Sequence, residues 1–294
     1  MIIGISRTQS HARVASSGKR ILGRFLTYVV VLAGAVMMLY PLIWMLSASF
    51  KPQDIIFTST GLLSSQWTLS NFLDGWNALD YPFTTFFLNS LLVCLGAVLG
   101  NIISCSMAAY AFARLRFKYK TFWFILMQGS IMLPAHVLIV PQYILFKDLG
   151  WVNTFLPMII PKFMATDAFF IFLMIQFIRN IPKDLDDASR LDGCSFYGFY
   201  WRVVLPLLVP ALITTAIFTF IWTYSDFFTQ LIYLNDESLF TIPVALRSFM
   251  DTTGNSAYGQ LFAMSVLSLL PVIAFFLLFQ RYLIEGAATT GMKG

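Results

Sequence analysis

The sequence predicts an all-α polytopic membrane protein with six transmembrane helices. Three observations carry this prediction. Of 294 residues, 58% are hydrophobic and only 11% charged, against roughly 45–50% and about 25% in soluble domains. Mean hydropathy is +0.76. A soluble fold of this size needs a wet surface that so few polar side chains cannot cover, and disorder is excluded by the same numbers. The apolar residues gather into long stretches. Finally, Lys and Arg collect in alternate connections between those stretches.

Six stretches suffice for a hydrocarbon core of roughly 30 Å. They cover residues 25–49, 86–112, 121–146, 154–178, 206–231 and 259–283. The first is too long for a signal peptide's apolar core, and no small-x-small cleavage site follows it. It is read as a retained helix. The third contains Gly129, Pro134 and Pro141. Proline removes a backbone donor and clashes with the preceding turn, so a kink or break is expected there. The total length favours one bent helix over two half-spans. Residues 1–24 and 284–294 are left as tails, flanking a membrane domain over 25–283.

The cations then orient the chain. The first tail carries Arg7, Arg13, Lys19, Arg20 and Arg24. The second-to-third connection carries Arg114, Arg116, Lys118 and Lys120, and the fourth-to-fifth carries Arg179, Lys183, Arg190 and Arg202. Arg281 and Lys293 follow the last span. These are 15 of the 19 Lys and Arg residues. Cations stay on the cytoplasmic side, so both termini are expected there, with loops 51–85 and 232–258 outside. The basic first tail mixes its cations with Ser, Thr and Gly, so it is assigned to topology rather than to nucleic acid.

Metal and catalytic chemistry find little support. Two histidines, His11 and His136, and three cysteines, Cys94, Cys105 and Cys194, exclude an ordinary four-ligand zinc site. Cys94 and Cys105 on one helix would lie roughly 16 Å apart, too far for a disulfide. There is no Gly-x-x-x-x-Gly-Lys-Ser/Thr phosphate loop, no Gly-x-Ser-x-Gly and no His-Glu-x-x-His. The chain is expected to be non-catalytic and to hold no cofactor or metal of its own.

Polar groups within spans are candidates for a pathway. Asn89, Gln128, His136, Gln142 and Asp226 are singled out as possible lining. His136, between Pro134 and Pro141, is assigned more readily to backbone groups freed by the break. Lys162 and Asp167 are five residues apart, poorly placed to share a helix face though long side chains can still meet, and Lys162 is expected to snorkel to the interface.

The connection over about 179–205 is the most informative polar stretch. It reads Ile-Pro-Lys-Asp-Leu-Asp-Asp-Ala-Ser-Arg-Leu-Asp-Gly-Cys from Ile181 to Cys194. Pro182 opens a helix, and Asp184, Asp186 and Asp187 complement its positive end. Leu185, Ala188 and Leu191 make one narrow apolar stripe. Gly193 supplies a left-handed stop, and Ser195 caps a second short helix. A narrow apolar stripe with a charged rim suits a groove on a soluble partner. Its acidic residues argue against lying on an anionic leaflet.

This segment resembles the EAA loop of ATP-binding-cassette importer permeases. That motif reads Glu-Ala-Ala, three further residues ending in Asp, Gly, and about ten residues later Ile-x-Leu-Pro. The matching positions are Asp187-Ala188-Ser189, Asp192-Gly193 and Val203-Val204-Leu205-Pro206. Asp187, Ser189 and Val203 replace Glu, Ala and Ile. The stretches from Leu133 to Thr154, Trp222 to Phe227 and Glu285 to Gly294 are similar to the carbohydrate-uptake, maltose-type subfamily.

The resemblance implies a type I importer permease in the bacterial inner membrane, serving the import of a sugar or oligosaccharide. It implies a second homologous permease, an ATPase dimer binding ATP and Mg, and an external solute-binding protein. Asp187, Ala188, Ser189, Leu191, Asp192, Gly193, Leu205 and Pro206 would form the ATPase coupling segment. Loop 232–258 would meet the binding protein. The competing readings are a permease for glycerol phosphate, a polyol or an amino acid, a secondary transporter, and a membrane enzyme. The transporter would need more mid-span acids, and the enzyme a nucleophile–base pair or metal ligands.

Overall fold

The computed structural model describes residues 8–58, 61–64, 66–250 and 257–291, with side chains for all of these except 8–22, 135 and 282–291. Arg7, Lys293, Asp251, Gly254 and Asn255 lie outside the described residues, as do the side chains of Arg13, Lys19, Arg20 and Glu285.

Helix α1 is Thr8–Ser49, and its apolar part, Gly23–Ser49, has none of its most apolar window buried by the rest of the chain. A short α2, Ser70–Trp76, precedes the central helix α3, Phe83–Arg114. Pro82 stands just ahead of α3, and Leu115 leaves it in an extended conformation. The chain then forms α4, Lys120–Ile131, and α5, Ala135–Asp148. These two meet at 107°. The third span is therefore a broken pair rather than one bent helix. Leu133 and Pro134 interrupt it, and Pro134 starts α5 from an extended conformation.

The fourth span is also irregular. Helix α6, Leu156–Ile159, passes into a 3₁₀ turn over Ile160–Met164 before α7, Ala168–Asn180. Ala165 takes a left-handed conformation, φ 55°. A continuous helix over 154–178 is thus not what forms. The unwound stretch packs on α3 at Gly100, where an added Cβ would stand 2.9 Å from Lys162 Cβ and 3.0 Å from its carbonyl carbon. Glycine allows that approach because it has no side chain to displace.

After α8, Asp184–Leu191, come α9, Phe196–Phe199, a π-helical turn over Tyr200–Val204, and α10, Leu205–Leu207. The Leu205 amide reaches back to the Tyr200 carbonyl, a five-residue step. The chain bends by 73° before α11, Val209–Ser225. Pro206 opens α10, and Pro210 opens α11. The fifth stretch is therefore not one straight helix. Helix α12 is Phe228–Tyr233, α13 is Ile242–Ser248, and α14, Tyr258–Gly291, is the last span.

Helix α3 packs between α7 and α11, α11 also touches α14, and α14 touches α1. Two apolar clusters fill these contacts. One joins Cys105, Ala109 and Tyr110 of α3 to Met174, Ile175 and Ile178 of α7 and to Phe199, Tyr200 and Val204. The other joins Phe83, Phe86 and Cys94 of α3 to Phe220, Tyr224, Phe249 and Met264. All three cysteines are unpaired.

Candidate functional site

The α8 segment forms as its residues dictate. Asp184, Asp186 and Asp187 occupy its first turn, and Arg190 its last, complementing the two ends of the helix dipole. Gly193 takes φ +74°. The Cys194 amide donates to the Ser189 carbonyl at 2.9 Å, and the Gly193 amide to the Arg190 carbonyl at 3.0 Å. This is the paired closure of a Schellman stop. Ser195 Oγ accepts from the Gly198 amide at 3.1 Å, capping α9.

Two sides of α8 differ. Leu191 is 90% exposed, and Leu185, Asp187 and Ala188 are exposed too. Asp186 instead turns inward. Its Oδ2 accepts from Arg114 Nη1 at 2.8 Å, with the side chains 19% and 7% exposed. Arg114 Nη2 also donates to the carbonyls of Ile178, at 2.9 Å, and Ile181, at 2.5 Å. One guanidinium therefore joins the end of α3, the end of α7 and the start of α8. It places positive charge where the α7 dipole is negative. A cavity of about 460 Å³ lies beside this junction, lined by Tyr110, Arg114, Asp186, Cys194 and Phe199 among others. Tyr110 Oη donates to the Phe196 carbonyl at 3.1 Å, fixing the return segment against α3.

Asp187, Ala188, Ser189, Leu191, Asp192 and Gly193 thus form one short helix and its stop. Leu205 and Pro206 lie beyond the π-helical turn, in α10. Ser189 Oγ donates to the Asp186 carbonyl at 2.8 Å. Arg114 escapes the sequence reading because it counts there only as one cation in a basic connection. The available signal was its place as the last residue of a span, facing an acidic loop.

A second cavity, of about 1100 Å³, opens between α5, the α6–α7 stretch, α11 and α12. It gathers His136, Gln142 and Asp226. His136 stands edge-on to Phe228 at 5.1 Å. Asp226 Oδ1 accepts from the Thr229 amide at 3.1 Å. Asn89 and Gln128 do not line this cavity. Asn89 Nδ2 donates to the carbonyls of Ser238, at 2.8 Å, and Phe240, at 3.0 Å. It ties a loop to α3. Gln128 Oε1 is buried without a partner.

Lys162 is likewise not a snorkelling side chain. Its Nζ donates to Asp167 Oδ2 at 2.8 Å. The same oxygen accepts from Asn101 Nδ2 at 2.6 Å, and that amide also reaches Thr219 Oγ1 at 3.0 Å. The pair lines the cavity, as does Trp222. Ionised groups are tolerated inside a span when paired and facing water.

In the loop beyond α12, Asn153 Oδ1 accepts from the amides of Asn235, at 3.0 Å, and Asp236, at 2.9 Å. Hydrogen bonds from the Ser238 hydroxyl and amide hold the Asp236 carboxyl below its ordinary pKa.

Residues 100–287 match the family described as binding-protein-dependent transport system inner membrane component. The probable ABC transporter permease protein YurM of Bacillus subtilis is 36% identical over 255 residues, covering 87% of this chain and 84% of that protein. The trehalose/maltose transport system permease protein MalG of Thermococcus litoralis is 30% identical over 276 residues, 94% and 99% of the two chains. A chain from the crystal structure of a bacterial ABC transporter for the acidic polysaccharide alginate superposes with a TM-score of 0.79 at 23% identity. That match covers 90% of this chain and 98% of the other, so the two chains share a fold.

Proposed function

Because the chain belongs to the family of binding-protein-dependent transport system inner membrane components, we propose that it forms half of a sugar-import pathway and couples that pathway to a separate ATPase through α8. The sugar assignment is supported by relatives such as the trehalose/maltose permease protein. The observation that carries the coupling role is the two-sidedness of α8. Asp187, Ala188 and Leu191 are free to enter a cleft on a partner, while Asp186 is held by Arg114.

In this reading the ATPase dimer binds ATP and Mg and draws two such helices together, one from each permease. Asp187 pairs with a basic group of the cleft, Ala188 and Ser189 leave room for the helix to seat, and Gly193 sets the angle of the return segment. Motion of α8 passes through Arg114 to α3 and α7. Alternating access follows when ATP binding favours one of two arrangements of the spans. Both termini and α8 lie in the cytoplasm, consistent with the cation distribution. A different, homologous permease completes the pathway, and an external binding protein delivers the solute to the face bearing loop 232–258.

Co-purification with a candidate importer ATPase tests the assignment. Asp187→Arg and Gly193→Pro should leave membrane insertion intact and abolish either ATPase association or transport-coupled hydrolysis. Normal coupling in both variants would overturn the role of α8.

A further inference from the structure

The wall of the larger cavity combines three features. Trp222 is half exposed on it, and its indole is held by Phe169 at 5.7 Å, Phe170 at 5.3 Å and Phe218 at 5.6 Å. The Lys162–Asp167 pair lies on the same wall, its side chains 29% and 27% exposed. Asp226 supplies a further carboxylate from the end of α11. Asn101 donates to Asp167 from behind and is itself held by Thr219, so the carboxylate is positioned before any ligand arrives.

We propose that this cavity is a subsite for a neutral, hydroxyl-rich saccharide ring, with Trp222 as its platform and Lys162, Asp167 and Asp226 as its hydroxyl partners. The proposal rests on the reading of the chain as a sugar permease and names where, and for which sugars. A pocket of apolar walls with a few fixed polar groups is the usual form of a small-molecule site. An indole offers a flat apolar face to sugar C–H groups. Hydrogen bonds from hydroxyls to ionised partners are stronger than neutral ones. Charge selects the class. Besides His136, the ionisable lining is one ammonium, already paired, and two carboxylates. A uronate would meet more like charge than opposite charge, and at these separations such repulsion is not screened as it is in bulk water.

The experiment uses the whole importer, reconstituted with its second permease, ATPase and binding protein. Uptake of radiolabelled maltotriose, xylotriose and arabinotriose is measured for Trp222→Ala, Trp222→Phe and the Lys162→Met/Asp167→Asn double variant. For whichever neutral sugar enters, Trp222→Ala and the double variant should each lower uptake about tenfold or more, the scale of losing one buried anchor. Trp222→Phe should restore much of it. ATPase stimulation by the loaded binding protein should stay within about twofold in all three, a readout that a merely structural defect would also lower. Equilibrium binding to the detergent-solubilised assembly without binding protein should favour the neutral trisaccharide over trigalacturonate, and Asp226→Asn should narrow the gap. Equal binding of trigalacturonate by the parent protein, or undiminished uptake by both Trp222→Ala and the double variant, overturns the subsite alone. Uptake of no saccharide at all, with ATPase coupling intact, overturns the sugar reading and the subsite with it.

Discussion

Arg114 and Asp186, 72 residues apart in sequence, meet at 2.8 Å between the end of α3 and the first turn of α8. The guanidinium also holds two carbonyls at the end of α7. Three elements therefore share one side chain.

Arg114→Ala leaves the Asp186 carboxylate without its partner. Removing one member of a buried pair costs about 3–5 kcal/mol. The variant should unfold at lower temperature in detergent and lose transport even where ATPase binding persists. Asp186→Asn keeps an acceptor for Arg114 and should cost less. A double-mutant cycle on thermal unfolding separates the pair's coupling from the Arg114 bonds to Ile178 and Ile181.

Gly193 sits at φ +74°, where a Cβ crowds the following carbonyl. Gly193→Ala should cost about 1–2 kcal/mol, and Gly193→Asn, which tolerates this region, less. Thermal unfolding ranks the two. Nothing lies within 4 Å of an added Cβ there, so backbone strain alone should set the order.

Gly100→Leu forces the unwound 3₁₀ stretch off α3, because the added Cβ alone meets Lys162 and Phe163 at 2.9 Å. Overpacking typically costs about 1–3 kcal/mol. The expected outcome is reduced stability together with faster reaction of a cysteine placed at Thr166, measured with a maleimide.

Asn89→Leu removes both donors to Ser238 and Phe240. Two carbonyls lose their partner, at about 1–3 kcal/mol for each unsatisfied group. Limited proteolysis should cut the loop around Asp236 faster in the variant, while α8-dependent ATPase binding stays unchanged.

The α8 segment was legible because its signals are local. The three early aspartates, Gly193 and Ser195 each act within a turn or two, and each does in the structure what its chemistry suggests, while Pro182 stands ahead of the N-cap Lys183 rather than at the first helical position. Four spans, over residues 23–49, 83–114, 156–180 and 258–281, were legible because length and hydropathy suffice. The pairing of Lys162 with Asp167 was legible only as far as the reach of the lysine side chain. Residues five apart on an α-helix point about 140° away from each other. Here the chain runs as 3₁₀ and then turns through Ala165 at φ 55°, which brings them together. The break at Leu133–Pro134 was signalled by proline, but its 107° angle depends on packing that composition does not encode. The Asn89 bonds to the loop were not legible, because a polar residue in a span does not announce which neighbour it serves.

The π-helical turn over Tyr200–Val204 stores one residue more than an α-helical turn of the same height would hold. It lies between the capped α9 and the bent entry to α11, so it acts as a register gauge for everything upstream. Deleting Arg202 would let the turn close with α-helical spacing and leave α9 and α11 in nearly the same phase, because a π-turn holds its extra residue within a single turn. Phe199 would keep its place against Tyr110. The turn thus absorbs a residue that a regular helix would convert into a rotation of α8 around the molecule.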